Sequence, residues 1–311
     1  MGTRQERWPM KQLSIVLVNY RAWSDTLACI ASLRNLDYSP VEIIVVENGS
    51  EDDSWERLRG VEAIRLIKVE RNLGFAGGCN VGLRAARDGG AEFVWLLNND
   101  TLVESHAASA LIELAQRRPE AHFFGNLISF AAEPERLWFG GGEFEWDTGT
   151  PRHTGFMQPV EAFSSPEAAP TGWITGCSLL VRTSSLDVIG LMDEDFFLYS
   201  EDLEWQLRAR RKYPVAWIVR QCLVHHKVGQ STGGTNDVMG RVFMSRNFLK
   251  LALGYAGLRM PLWLARWAIE FLAKPALKGN LRLLRAGFAG LSTQRIAGGD
   301  IVRRWGRGER G

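Results

Sequence analysis

Two clusters of acids in this 311-residue sequence have the types and spacing to do chemistry. The first is Asn98-Asn99-Asp100, where an apolar run from Phe93 to Leu97 stops abruptly at two amides and a carboxylate. A buried strand ending in a polar loop reads this way. Ligands of open α/β sheets sit beyond the carboxyl ends of the strands, so Asp100 would stand at the mouth of a crevice. A lone carboxylate there can bind a hard cation, which usually bridges to phosphates. The competing explanation is that Asn99 or Asp100 merely caps a helix starting near Leu102. The second cluster is Glu201-Asp202, behind Ser200, in the first turn of a helix expected to run to about Lys212. A helix dipole favours carboxylates in its first turn on structural grounds alone. It also holds a carboxylate ionised, which a general base needs.

These groups need a scaffold, and the chain supplies an alternation. Residues 13–18 read as a buried strand ending at Asn19-Tyr20, followed by a helix from Ser24-Asp25 to about Leu36. A second strand at 41–46 ends at Glu47-Asn48-Gly49-Ser50, and Asp52-Asp53 open the next helix. A third strand at 63–69 ends at Glu70-Arg71-Asn72, a helix covers 74–87, and a fourth strand covers 92–97. Strands alternating with helices predict a parallel sheet with right-handed crossovers. Every strand then delivers polar residues to one crevice: Asn19-Tyr20, Glu47-Asn48, Arg71-Asn72 and Asn98 to Asp100. Further on, a helix is expected at 103–117 and a strand near 122–130. Residues 131–170 read as irregular, with a hairpin around Gly140-Gly141-Gly142. Residues 171–182 read as one strand with small residues at its start, where glycine permits a ligand to come close. A last strand at 215–219 leads to His225-His226.

The Gly74-Phe75-Ala76-Gly77-Gly78 stretch lacks the GxGxxG spacing and follows the third strand, not the first, which argues against a nicotinamide-dependent oxidoreductase. The composition, 46% hydrophobic and 23% charged, is that of an ordinary globular chain. The net charge of +2 hides an asymmetry: residues 241–311 carry 14 Lys/Arg against 3 Asp/Glu, leaving the rest at −9. An acidic body with a basic tail suggests that the tail meets an anionic surface. Cys29, Cys79, Cys177 and Cys222 are far apart and form no CxxC pair, so reduced buried thiols of a cytosolic protein are expected. No signal peptide, N-myristoylation site or transmembrane run is evident.

Six segments in order give the chain a resemblance to family 2 glycosyltransferases of the GT-A fold, and within them to rhamnosyltransferase-like members. They are Val18-Asn19-Tyr20, Glu47-Asn48-Gly49-Ser50, Asn72 through Asn80, Leu97-Asn98-Asn99-Asp100-Thr101, Phe197-Leu198-Tyr199-Ser200-Glu201-Asp202, and His226-Lys227-Val228-Gly229-Gln230-Ser231-Thr232. The resemblance covers residues 13–247. It implies an α/β fold with a Rossmann-like, mostly parallel nucleotide-binding sheet flanked by helices. Tyr20 would lie against the nucleobase, since an aromatic face stacks on any base. Glu47 stands where the family usually has Asp and would accept an N–H of uracil or thymine, unless it only caps the helix after it. Arg71 would reach base or diphosphate, and Asn19, Asn48, Asn72, Gly77, Asn98 and Asn99 would line the nucleotide-sugar site. Trp173 and Gly176 would lie near sugar or acceptor. Asp100 would hold Mg²⁺ or Mn²⁺ with His226, while His225 is a packed strand-end residue. Asp202 would be the general base, with Glu201 next and Asp195 third.

In the tail, Arg246-Asn247 resembles an Arg-Asn pair common after this domain. Arg259, Trp263, Arg266, Glu270 and Lys274 would share one helical stripe. Leu277, Leu281, Leu284, Phe288 and Leu291 make a second, apolar one, beside Lys278, Arg282 and Arg285. Basic, Trp-bearing amphipathic helices lie in a membrane interface; the same stripes could instead pack on the catalytic domain or on a second copy in a homo-oligomer. The expected organisation is a flexible 1–12, a GT-A domain at 13–240, a basic helical extension at 241–297 and a disordered 298–311. The expected activity is an inverting, metal-dependent transfer of a sugar, with rhamnose leading, from a dTDP- or UDP-sugar to a lipid-linked or cell-surface glycan. The enzyme would sit on the inner face of the cell membrane, touching it through residues 255–291, with no nucleic-acid partner. The alternative is a non-catalytic nucleotide-sugar-binding assembly partner.

Overall fold

Continuous apolar runs, as at 13–18, 41–46 and 93–97, belong to strands covered on both faces. In the computed structural model, which describes residues 12–210, 216–228, 238–294 and 296–305, they form the centre of the sheet. Strands β1 (Leu13–Asn19), β2 (Val41–Asn48), β3 (Arg65–Val69) and β4 (Phe93–Asn98) run parallel in the order β3-β2-β1-β4. Helices α1 (Trp23–Leu33), α2 (Ser54–Leu58) and α3 (Gly74–Asp88) connect them. The glycines of α3 let it sit down on β1. A Cβ on Gly82 would stand 2.2 Å from Val16 Cγ1, and one on Gly78 would stand 2.7 Å from Val18 Cγ1.

The chain after Asp100 departs from expectation. It enters a short strand, β5 (Thr101–Val103), and the helix α4 begins only at its first residue in Ala107–Arg117. A Thr-Leu-Val stretch suits a strand edge better than a helix start. Beyond it come β6 (Phe123–Phe130), β7 (Leu137–Phe139), β8 (Gly142–Glu145), β9 (Thr150–His153), β10 (Ala169–Thr171), β11 (Ser178–Arg182), α5 (Leu186–Ile189), α6 (Glu201–Arg210) and β12 (Ala216–His226). The main sheet continues from β4 through β11, β6 and β12 to β10, with β5 pairing β12 and β7 pairing β6. The hairpin is formed by β8 and β9, so its turn lies at 146–149 and the three glycines at 140–142 lead into it. The strand expected at 171–182 is broken in two, because residues 172–177 turn aside. The end of α6 near Lys212, and Gly229, Gln230, Ser231 and Thr232 of the last motif, lie outside the described residues.

The C-terminal region is helical: α7 (Val238–Leu251), α8 (Met260–Ala268), α9 (Lys274–Leu277), α10 (Leu281–Ser292) and α11 (Gly298–Trp305), with π-helical turns at 252–256 and 269–273. Residues 298–305 are thus helical, not disordered. Ile301 is buried in a second core with Phe197, Val242, Phe243, Ala286 and Ala289. Among the described residues no helix is long and apolar enough to cross a membrane.

Candidate active site

The pairing of β5 with β12 builds one half of the site. Thr101 lies opposite His226, and the Lys227 N–H donates to the Asp100 carbonyl at 2.9 Å. Asp100 Oδ1 and His226 Nε2 consequently meet at 3.1 Å, both side chains buried. The residue after Asp100 enters a strand, so the helix-cap explanation is removed. His225 turns the other way, with Nδ1 at 2.7 Å from Ser129 Oγ and Nε2 at 3.0 Å from Glu104 Oε1. An oxygen and a nitrogen converging at a strand end suit a divalent cation. No group of three or more His, Cys, Asp or Glu able to hold a metal occurs among the described residues. A cation held by these two side chains would need substrate oxygens and water to complete its coordination, as is common for Mg²⁺.

The nucleotide half lies at the ends of β1, β2 and β3. Glu47 is fully buried; its Oε1 accepts the Ser50 N–H at 2.8 Å, holding the loop after β2. Its Oε2 has no partner among the described residues, as is true of Asn19 Nδ2. One Glu47 oxygen shapes the loop and the other is left free to accept a hydrogen bond. Thr26 Oγ1 donates to Asn19 Oδ1 at 2.8 Å and accepts from Asn99 Nδ2 at 2.8 Å, tying the ends of β1 and β4 to α1. Tyr20 is half-buried with Arg21 over its ring, Asn98 is half-buried, and Arg71 is exposed at the rim. Asn48 and Asn72 are spent on the chain itself. Asn48 donates to Asn72 Oδ1 and the Gly74 carbonyl and accepts from Leu73 N–H, while Asn72 Oδ1 accepts from Gly74 N–H. Gly77 sits inside α3, where a Cβ would meet Leu73 and then Glu194, so it is a packing glycine.

The second pair of acids comes from α6. Asp202 Oδ2 accepts the Gly176 N–H at 2.6 Å and Oδ1 accepts the Leu203 N–H at 2.7 Å. A side chain at Gly176 would crowd Phe75 and Asp202, which is why the close approach needs glycine. Trp173 closes the floor: its indole N–H donates to the Glu143 carbonyl, and it packs against Phe139 and His153. Glu201 is buried with Oε2 unpartnered. Burial, reinforced by the neighbouring Asp202 charge, pushes its pKa from 4.5 to about 8. Burial also raises Asp202, against the two backbone N–H donors that favour its ionised form. Desolvation thus works against the helix dipole and raises both carboxyls. Asp195 is no base. Partial burial raises it, but Lys250 and Arg246 together hold it below the usual carboxylate range.

A raised carboxyl pKa means the fold binds a proton that the unfolded chain has released. Stability from Glu201 is therefore present below its ordinary value and lost as pH climbs towards about 8. Glu201→Gln is expected to flatten this slope. In thermal melts from about pH 5 to about pH 9, the wild-type midpoint should fall a few degrees relative to the variant.

Of the six buried side-chain polar atoms without a partner among the described residues, four are Asn19 Nδ2, Glu47 Oε2, Glu201 Oε2 and His226 Nδ1. Unpartnered buried groups are costly, and a bound ligand is one way to satisfy them. Sequence patterns gave no sign of Trp138, which stands edge-on to His226 at 4.4 Å; it lies in the stretch expected to be irregular. They also gave no sign of Gln206, whose amide accepts from and donates to the Ile174 backbone and so fixes the turn carrying Gly176.

A sheet of this order with its acids at the strand ends is the GT-A fold, the scaffold of nucleotide-sugar glycosyltransferases. Residues 14–171 match the pattern described as "Glycosyl transferase family 2", and the chain belongs to that family of glycosyltransferases. Among curated relatives, the N-acetylglucosaminyl-diphospho-decaprenol L-rhamnosyltransferase of Mycobacterium tuberculosis is 26% identical over 292 residues, covering 88% of this chain and 95% of its own. The low-salt glycan biosynthesis hexosyltransferase Agl10 of Haloferax volcanii is 25% identical over 208 residues, covering 65% and 63% of the two chains. Among solved structures, GalNAc-T7 with UDP, GalNAc and Mn²⁺ superposes with a TM-score of 0.58 at 15% identity, over 88% of this chain and 58% of that one.

Proposed function

We propose that this protein is an inverting, metal-dependent glycosyltransferase that moves a sugar, rhamnose before others, from a dTDP- or UDP-sugar to a hydroxyl of a lipid-linked or cell-surface glycan. The observation that carries it is the buried contact of Asp100 Oδ1 with His226 Nε2 at 3.1 Å in a family 2 chain, with Glu47 and Glu201 each keeping one buried oxygen unpartnered among the described residues. Glu47 Oε2 accepts the ring N–H that uracil and thymine share. Asp100 and His226 would hold a divalent cation, which when bound would supply Lewis-acid help to the departing diphosphate. Asp202 takes the acceptor hydroxyl proton as that oxygen bonds to the anomeric carbon; the bond from that carbon to the diphosphate oxygen breaks, and the nucleoside diphosphate leaves. Protonated Glu201 donates a hydrogen bond to a sugar or acceptor hydroxyl. The Mycobacterium relative is named for rhamnosyl transfer to a polyprenyl-diphosphate-linked N-acetylglucosamine, which makes that acceptor the first to try. The test is transfer from dTDP-rhamnose, UDP-glucose and UDP-N-acetylglucosamine to that acceptor with and without Mg²⁺ or Mn²⁺. Transfer from the thymidine donor with inversion supports the full reading, and hydrolysis or transfer unaffected by chelator removes the metal from it.

The same proposal places the enzyme at the inner face of the membrane. Trp263 is fully buried, its indole N–H donating to the Trp146 carbonyl, and Arg259 reaches Asp147. The stripe that holds Arg259 and Trp263 therefore packs on the domain, one of the two placements its sequence left open. The opposite side is apolar and bare: of the fourteen exposed large hydrophobic side chains among the described residues, nine lie between Leu253 and Leu291, with Leu258 at 101% and Leu277 at 89% exposure. Contiguous bare leucines beside exposed Lys278 and Arg285 suit an anionic bilayer. Leu258→Asp/Leu277→Asp is expected to weaken flotation with vesicles rich in phosphatidylglycerol by about tenfold or more, since each buried leucine contributes about 2 kcal/mol. Unchanged flotation would contradict membrane contact through this face.

A further inference from the structure

The turn leading into Glu201-Asp202 is bent in a way its residues do not favour. Phe197, Tyr199 and Ser200 all have positive φ, at 62°, 68° and 66°, and none is glycine. Phe197, with ψ of −60°, is the centre of a tight turn closed by the Leu198 N–H on the Phe196 carbonyl at 2.7 Å. Turns of this class are rare and strained, and strain of this kind persists only where its surroundings over-determine it. Here two elements do so from opposite sides. The first residues of α3 reach the Phe197 carbonyl, with the Phe75 N–H at 2.6 Å and the Ala76 N–H at 3.3 Å. From the other side, Asn247 of α7 points its Nδ2 at the carbonyls of Phe196, Leu198 and Tyr199, at 2.9, 2.8 and 2.7 Å. Its Oδ1 in turn accepts from Arg246 at 3.1 Å, and Arg246 also donates to the carbonyls of Asp195, Thr293 and Ile296. Both side chains are fully buried. Phe197 itself is stacked on Phe243, ring centres 5.0 Å apart. A Cβ on Gly74 or on Gly298 would collide with Phe197.

We propose that Asn247 is a positioning residue for sugar transfer: its carboxamide holds the strained turn 196–200 in the one shape that presents Glu201 and Asp202 to the acceptor. This rests on the reading of Asp202 as base. The C-terminal helices are thereby part of the catalytic machinery, because the residue that fixes the catalytic turn belongs to them. Ordinary packing would be served by an apolar side chain of the same size. Three carbonyls converging on one amide serve a backbone path that no strand or helix would supply.

The test pairs Asn247→Leu, which keeps the volume and removes the donors, with Asn247→Leu/Ser200→Gly, in which glycine adopts the positive φ freely. The wild type, Asp202→Asn and Ser200→Gly serve as references. The expected result is a fall in kcat of about 10- to 100-fold for Asn247→Leu. The dissociation constant for dTDP or UDP should stay within about threefold of wild type, and a substantial part of kcat should return in the double variant. A wild-type kcat in folded Asn247→Leu overturns the proposal. So does a fall that glycine at Ser200 leaves untouched, or one matched by an equal loss of nucleotide binding. Should Asn247→Leu fail to fold, Asn247→Ser, a shorter donor, replaces it with the same readouts. Loss of kcat on Asn247→Leu with its return by glycine, together with an active Asp202→Asn, would overturn Asp202 as base while leaving the positioning role in place.

Discussion

Asp202→Asn is expected to lower kcat by about 10²- to 10⁴-fold, the range a positioned base contributes, while binding of dTDP or UDP stays close to wild type. The substitution is nearly isosteric. An amide oxygen can keep the 2.6 Å bond from the Gly176 N–H, so the turn at 172–177 should hold its shape, while the amide nitrogen in place of Oδ1 gives up the bond from the Leu203 N–H. What disappears is the second role of the carboxylate, taking a proton from the acceptor. Glu201 cannot replace it efficiently, because burial holds its proton to about pH 8. A residual rate that rises with pH, with its midpoint below about 8 because the Asp202 charge no longer helps to raise Glu201, would identify Glu201 as the fallback base. Single-turnover transfer, with calorimetric binding as control, separates the outcomes. A drop in affinity as large as the drop in kcat would place Asp202 in substrate binding instead.

Asp100→Ala is expected to lower turnover by about 10²- to 10³-fold, since a cation on the leaving diphosphate contributes several kcal/mol to the transition state. It leaves His226 as the single protein donor, with the buried ring no longer facing a carboxylate at 3.1 Å. One nitrogen is a poor holder of a hard cation. Chelator should therefore depress the wild type to the level of the variant and leave the variant unaffected, the non-additivity expected when two changes remove one interaction. Additive losses would separate Asp100 from the metal.

Much of the site was legible because strand ends are. The apolar runs stop at Asn19, Glu47, Arg71 and Asn98, and a parallel sheet must bring those stops together. The strand ends pointed to Glu47 and Asp100 and the family motifs to His226 and Asp202, and the fold brings Asp100 and His226 to 3.1 Å of each other. Four features were not legible, each for a physical reason. Thr101 to Val103 leaves the expected helix for a strand because its partner, β12, comes from more than a hundred residues away. The glycines of α3 look like a ligand loop, and only the 2.2 Å approach of Gly82 to Val16 shows that they serve helix–sheet packing. The tail stripe could be assigned to either side of its helix until the burial of Trp263, Trp267 and Phe271 fixed which side faces the domain. Likewise Asn48 and Asn72 are polar and at the right place, yet their hydrogen bonds are already spent on the turn at Leu73-Gly74.

The most direct measurement is calorimetric titration of the full chain with dTDP, UDP, GDP and NAD, with and without Mg²⁺ or Mn²⁺. Metal-dependent binding of dTDP or UDP, stronger than that of GDP and with none of NAD, is the predicted result. No metal-dependent binding of any of the three diphosphates would contradict the account, leaving a family 2 fold whose acids at Asp100 and Asp202 serve some other purpose.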